Sequence, residues 1–319
     1  MTGRNSLFGP VNPAAEAGYT DPPPRKGFFT DTSICIGCKA CEVACKEWNE
    51  VPDDGFNLLG MSYDNTGSLN ANTWRHVAFI EQRKPLDGQE PGLRAAPVDL
   101  GMPAWEQAAT NEVQLPETGT DGDKPDFRWL MSSDVCKHCT HAACLDVCPT
   151  GALFRTEFGT VVVQSDVCNG CGYCVPACPY GVIERREGEK GTKNVGIAQK
   201  CTLCYDRLDA GQRPACAQAC PTESIQFGDV EELRDRANQR VEKLHEAGIM
   251  DARLYGNDPN DGVGGTGAFF LLLDEPEVYG FPPDPVVTTR DLPAMFNRAT
   301  TAALALFAGA VISFFGRRP

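Results

Sequence analysis

The chain has 319 residues, with 43 acidic against 29 basic side chains and a formal net charge of −14. Such an acidic balance argues against a nucleic-acid partner, whose phosphates call for a basic surface. The length allows two lobes and a tail, and 42% hydrophobic residues permit a core, but 32 Gly and 24 Pro imply much loop.

Residues 1–33 are polar, Pro-rich and without an apolar h-region, so no secretory leader is expected there. They read as an irregular arm, extended at Pro22-Pro23-Pro24. A short helix is predicted from Ala40 to Trp48, and a strand over residues 73–81. Residues 82–126 are rich in Pro, Gly and Asp with no clear period, and read as an inserted surface loop. Phe127 to Met131 resumes a strand, Pro149 to Leu153 makes a turn, and Thr160 to Val163 makes another strand. Asp229 is expected to cap a helix whose apolar stripe is Val230, Leu233, Ala237, Val241 and Leu244, with Gly248 ending it. That stripe is assigned to core packing. Ala268 to Leu273 is an apolar, strand-like run.

The sixteen cysteines fall in four groups of four. They are Cys35, Cys38, Cys41 and Cys45; Cys136, Cys139, Cys144 and Cys148; Cys168, Cys171, Cys174 and Cys178; and Cys201, Cys204, Cys216 and Cys220. Groups one and three read C-x2-C-x2-C-x3-C, the run in which three thiolates bind one iron–sulfur cluster and the fourth reaches another. Pro149, Pro179 and Pro221 complete Cys-Pro endings. Disulfides do not account for such runs. Structural zinc uses CxxC pairs, but it leaves the three-plus-one spacing and the Cys-Pro endings unexplained. Four groups of four thiolates match four [4Fe-4S] clusters.

Cys136 to Pro179 looks like a complete two-cluster ferredoxin, and groups one and four are expected to form a second, split lobe. The fold class is therefore α+β, with two interlocked ferredoxin-like dicluster lobes. Group four inserts a longer loop, Tyr205 to Ala215, at small entropic cost. The implied organisation is an arm (1–33), the first part of the split lobe (34–81), the insert (82–126) and a dicluster lobe (127–195). Completion of the split lobe (196–228), a post-cluster helix and linker (229–291), and a transmembrane helix with its tail (292–319) follow.

Gly262, Gly264 and Gly267 match G-x-G-x-x-G, but a polar loop precedes them and an apolar strand-like run follows. The strand-then-helix context of dinucleotide binding is missing, so the match is a decoy. His138 and His141 lie within group two, where the thiolate count is already complete, so hydrogen bonding or tuning is expected of them. Lys39, Lys46, Lys137 and Lys200 flank ligands and would raise local potential, unless they are ordinary screened surface charges. No nucleophile–base motif, no H-E-x-x-H signature and no spare cysteine is present, so no catalytic residue is assigned.

Ala299 to Phe315 carries no charge and is followed by Arg317 and Arg318. Extended back to Leu292, it reaches spanning length if Arg298 snorkels. The alternative is a buried C-terminal helix. The Pro-rich linker before it, residues 281–285, and the apolar residues on all faces favour membrane insertion. The two arginines favour a cytoplasmic C-terminus, with the cluster lobes on the outer side.

Taken together, the sequence resembles the four-cluster subunit of membrane-bound molybdenum or tungsten oxidoreductases, and most of all the β subunit of respiratory formate dehydrogenases. The resemblance rests on Cys35-Ile36-Gly37-Cys38-Lys39-Ala40-Cys41 with Glu47-Trp48-Asn49, on Cys168 to Cys174, on Lys200 to Arg207, on Gly262 to Thr266 and on the apolar tail. It implies four ligand sets: Cys35, Cys38, Cys41 and Cys220; Cys45, Cys201, Cys204 and Cys216; Cys136, Cys139, Cys144 and Cys178; and Cys168, Cys171, Cys174 and Cys148. It further implies electron flow from formate to quinone. The first cluster would face a molybdopterin catalytic α subunit. The Cys168 cluster would face an integral-membrane, quinone-reactive subunit of the kind that can hold haem b. The same wire serves nitrate, polysulfide, dimethyl-sulfoxide and hydrogenase-type complexes. A purely structural metal scaffold, with no electron transfer, is the reading from a different class.

Overall fold

The computed structural model describes residues 12–55, 63–64, 66–82, 128–188, 192–290 and 292–315. The insert expected over 82–126 lies almost wholly outside them, as do Arg317 and Arg318. The helices are α1 (Pro13–Glu16), α2 (Ala40–Asn49), α3 (Ala143–Asp146), α4 (Cys174–Ala177), α5 (Tyr205–Asp209), α6 (Ala215–Ala219), α7 (Val230–Glu246) and α8 (Leu292–Phe315). The strands are β1 (Lys26–Asp31), β2 (Arg75–Gln82), β3 (Arg128–Val135), β4 (Leu153–Arg155), β5 (Val161–Val163), β6 (Glu184–Arg185), β7 (Ala198–Gln199), β8 (Ile225–Asp229), β9 (Arg253–Tyr255) and β10 (Ala268–Leu272).

A four-stranded sheet in the order β8-β1-β10-β9 anchors the main core. β1 runs antiparallel to β8 and parallel to β10. Every residue of β10 is buried, and Phe28 and Phe29 of β1 are fully enclosed. Such near-continuous burial is what a central strand covered on both faces requires. Residues 26–31, read from sequence as part of an irregular arm, are therefore a correction. Their partners, β8 and β10, lie about 200 or more residues downstream, so no local pattern announces the strand.

α7 packs on the sheet through buried Val230, Leu233, Ala237 and Leu244, as its 3.6-residue period predicts. Gly248 ends it in the left-handed region, at φ 86°. Asp229 occupies the N-cap position, but its carboxylate makes no capping hydrogen bond and instead pairs with Lys26 across the β1–β8 ladder.

The cysteine helices pair between groups. α2 packs against α6, joining groups one and four, and α3 packs against α4, joining groups two and three. These are the two ferredoxin-like lobes, one split and one continuous. The β2–β3 ladder feeds directly into the second cysteine loop, pairing Arg75 with Val135 and His76 with Asp134. After Gly262 to Gly267 comes β10 and no helix, so dinucleotide-fold context is absent in space as in sequence. These glycines instead allow close approach. His141 and Thr140 donate backbone hydrogen bonds to the carbonyls of Val263 and Gly265, and a Cβ on Gly264 would stand 2.5 Å from the His141 ring.

α8 is exposed along its described side chains, from Met295 to Phe315. At 24 residues it spans about 36 Å, more than a bilayer's hydrocarbon core. The Thr300 and Thr301 hydroxyls return to the carbonyls of Phe296 and Asn297, which satisfies them inside the helix.

Candidate metal centres

The first CxxC turn of each group is built on the same backbone device. The residue immediately before the second cysteine is left-handed in all four: Gly37 at φ 65°, His138 at 45°, Gly170 at 72° and Leu203 at 59°. A left-handed residue curls the peptide N–H groups toward one side, making a concavity suited to an anionic group. For His138 and Leu203 this conformation carries a steric cost that glycine avoids. One consequence is visible where Leu203 N–H donates to Cys201 Sγ at 3.3 Å.

The turns converge into sets that cut across the sequence groups. Cys35, Cys38, Cys41 and Cys220 line one cavity, about 290 Å³ counting the space open to solvent. Cys136, Cys139, Cys144 and Cys178 line another, about 370 Å³ on the same count. The thiol of Cys45 lies in the electrostatic reach of Cys201, Cys216 and Cys204. That of Cys174 lies in reach of Cys168, Cys171 and Cys148. The sets also adjoin one another in a line: Cys41 neighbours Cys216, Cys201 neighbours Cys136, and Cys144 neighbours Cys174.

Burial, then repulsion between neighbouring thiols, pushes most of these cysteines up. Cys41 and Cys144 rise to about 12, and Cys174 and Cys204 to about 11. Thiols so placed become thiolates only with a compensating cation, which is what iron ligation supplies. Cys148 is the exception. Desolvation opposes ionisation there, but the N–H groups of Leu153, Thr150 and Ala152 and the Thr150 hydroxyl outweigh it and hold the thiol low. Among the described residues no three Cys, His, Asp or Glu side chains are disposed to hold a single metal ion. A cluster of several irons and sulfides is wider than one ion, so ligands set further apart fit it better than zinc.

Polar groups around the cavities fit the same cargo. His138 is buried, and its Nδ1 accepts from Val161 N–H at 3.1 Å. Burial, with Lys200 and Arg25 nearby, holds the ring neutral far below its usual range. Its Nε2 therefore carries the proton, and this atom has no partner among the described residues although His138 lines the larger cavity. The four lysines divide. Lys137 and Lys200 are 1% and 2% exposed, Lys137 being paired with Asp134, whereas Lys39 and Lys46 are half-buried and also paired with carboxylates. Lys200 Nζ bonds the Val161 and Cys201 carbonyls beside the larger cavity.

Three contributors had no role assigned from sequence. Asn49 Nδ2 approaches Cys45 Sγ at 3.7 Å and Cys204 Sγ at 4.0 Å. Ser133 Oγ lies 3.3 Å from Cys41 Sγ. Arg75 is buried among the thiols of Cys216, Cys41, Cys201 and Cys45. Asn49 and Ser133 each stand within four residues of a cysteine run in sequence; Arg75 carries no local signal.

Residues 34–152 and 127–230 each match a family model described as a 4Fe-4S dicluster domain. The iron–sulfur subunit of the nitrate-inducible formate dehydrogenase of Escherichia coli K12 is 35% identical over 296 residues, covering 91% of this chain and 84% of that one. This protein belongs to the formate dehydrogenase iron–sulfur subunit family. The formate dehydrogenase iron–sulfur subunit of Haemophilus influenzae is 39% identical over 261 residues, covering 81% of this chain and 68% of that one. A subunit of the anaerobic dimethyl sulfoxide reductase of Escherichia coli K12 is 35% identical over 211 residues, but these are 66% of this chain and 76% of that one. Members of this family carry 4Fe-4S clusters and transfer electrons as subunits of larger oxidoreductase complexes, and this chain is such a subunit.

Proposed function

We propose that the chain holds four [4Fe-4S] clusters in a line, on the four cross-group cysteine sets named above. It would pass electrons from a formate-oxidising molybdenum- or tungsten-pterin subunit to a quinone-reducing membrane subunit. The observation that carries this reading is the end-to-end adjacency of the sets through Cys41–Cys216, Cys201–Cys136 and Cys144–Cys174. A cluster supplies reversible one-electron chemistry when bound, without gain or loss of atoms. The protein's part is to fix the spacing, exclude water and set potentials.

The second set lies deep, with Cys45, Cys201, Cys204 and Cys216 all buried, and buried Cys136 of the third set beside it. The line ends at the surface, at exposed Cys38 beside Ile36 and at exposed Cys171 beside Tyr173. Two wet ends and a dry middle suit a conduit between two partners. The first end would meet the catalytic subunit and the second the membrane subunit. α8 would anchor the chain with its C-terminus inside by the charge of Arg317 and Arg318, leaving the lobes outside. The formate reading is favoured over the dimethyl-sulfoxide one because the formate dehydrogenase relatives align over more of the chain.

The test is a tagged purification from detergent-solubilised membranes, with iron and sulfide analysis and formate-dependent dye reduction. A co-purifying molybdopterin subunit, four clusters per chain and formate activity are expected. A molybdopterin subunit without formate activity would move the terminal chemistry to another oxidoreductase. A colourless, zinc-bearing chain would end the conduit reading. For sidedness, a tag placed in the 82–126 insert should be accessible on intact cells; its protection would overturn the outward placement.

A further inference from the structure

Arg75 opens β2 and is 1% exposed, yet only part of its guanidinium is satisfied by protein. Nη1 donates to Ser133 Oγ at 3.0 Å and to the Ser133 carbonyl at 3.3 Å. The guanidinium carbon lies 4.8 Å from the centroid of the Phe28 ring. Nε and Nη2 are buried and have no hydrogen-bond partner among the described residues. An uncompensated cation with two orphan donors is strongly unfavourable in a protein interior. Something other than the described residues must accept these bonds and balance this charge.

The surroundings say what it is. The thiols facing Arg75 are those of Cys41, in the first set, and of Cys45, Cys201 and Cys216, in the second. Ser133 ties the same guanidinium to Cys41, since its hydroxyl also contacts that sulfur. Arginine does not lose its proton in proteins, so its charge is permanent. Lys200, the comparable buried cation near the third set, donates to two backbone carbonyls and so has protein acceptors for its charge.

We propose that Arg75 is a potential-setting residue between the first two clusters, donating Nε–H and Nη2–H to cluster sulfur and stabilising the reduced form of both. The inference rests on the ligand sets proposed above. Reduction adds one electron to a cluster and moves no atom at the arginine. A fixed positive charge in a low-dielectric interior therefore favours the reduced state and raises the potential. Arg75 acts on two adjacent stations at once, so both potentials would be raised.

The experiment is an EPR-monitored redox titration of the purified complex, for the wild type, Arg75→Met and Arg75→Lys. In Arg75→Met two of the four signals should shift to lower potential, with at least a tenfold fall in the reduced-to-oxidised ratio at the wild-type midpoint, about 59 mV for a one-electron couple. The other two should stay in place, and Arg75→Lys should lie nearer the wild type. Unshifted signals in Arg75→Met, or one common shift of all four, overturn the inference while leaving the ligand sets standing. Fewer than four clusters in the wild type overturn the ligand sets and the inference with them. If Arg75→Met does not assemble, pulsed EPR on wild-type complex with isotope-labelled guanidinium nitrogen decides. A coupling that disappears in Arg75→Lys supports donation to the clusters, and no coupling in the wild type overturns it.

Discussion

Gly27 and Gly267 meet backbone to backbone: a Cβ on Gly27 would stand 2.1 Å from the Gly267 carbonyl oxygen and 2.8 Å from Val230 Cγ2. That carbonyl accepts from Phe28 N–H at 2.8 Å, while Gly267 N–H donates to the Lys137 carbonyl at 2.9 Å. One residue thus ties β1 to the cysteine loop that opens the continuous lobe. Gly27→Ala is expected to destabilise the protein by about 1–3 kcal/mol or more, as overpacking against backbone does. Thermal denaturation measures it, and an unchanged midpoint would show that β1 shifts freely.

The cross-group sets predict which cysteine substitutions look alike. Cys38→Ala and Cys220→Ala should abolish the same EPR signal, although they lie in different groups. Cys45→Ala should instead match Cys201→Ala, despite its place in group one. Each should remove about one cluster's iron. If Cys45→Ala silenced the Cys38 signal alone, the assignment would be wrong.

The Lys26–Asp229 pair, each side chain more than a quarter exposed, should matter little by itself. Asp229→Ala and Lys26→Met are each expected to cost under about 1 kcal/mol, as partly solvated pairs do. Their double mutant should cost less than the sum. Fully additive losses in a double-mutant cycle would mean that Asp229 works elsewhere, as a helix cap.

Asp64 sets an acid limit. Desolvation pushes its carboxyl up, but Gly67 N–H, His76 and Thr66 N–H prevail and hold it below the ordinary 3.8. A depressed folded value means that the unfolded state takes up more protons, so this stabilisation is complete above 3.8 and fades as the pH falls through the lower folded value. Asp64→Asn should be less stable than the wild type near neutrality and converge with it in acid. Melting curves that stay parallel over that range would remove Asp64 from the acid response.

Removal of α8 should leave the cluster lobes intact, because none of its described side chains enters the core. A chain truncated after Arg290 should keep its iron and its EPR signals but be released from membranes by an alkaline carbonate wash. Full retention after truncation would mean that partners alone hold the chain there.

Cysteine spacing is a local property, and so is hydrophobic period. The runs Cys35 to Cys45 and Cys168 to Cys178 therefore announced cluster chemistry, the stripe from Val230 to Leu244 announced α7, and Ala299 to Phe315 announced a long apolar helix, all without tertiary information. Left-handed Gly37 and Gly170 were equally accessible to sequence, since glycine tolerates that conformation, whereas His138 and Leu203 adopt it against their preference. Burial, by contrast, is decided by what packs against a residue from far along the chain. Two phenylalanines in a Pro-rich stretch became a central strand only when β8 and β10 closed on them. Lys137 and Lys200 were sealed inside while Lys39 and Lys46 stayed half-exposed, a difference that no neighbouring residue type encodes. Arg75 reads in sequence as an ordinary strand charge, and only folding placed it between thiols from two ends of the chain, where water cannot screen it.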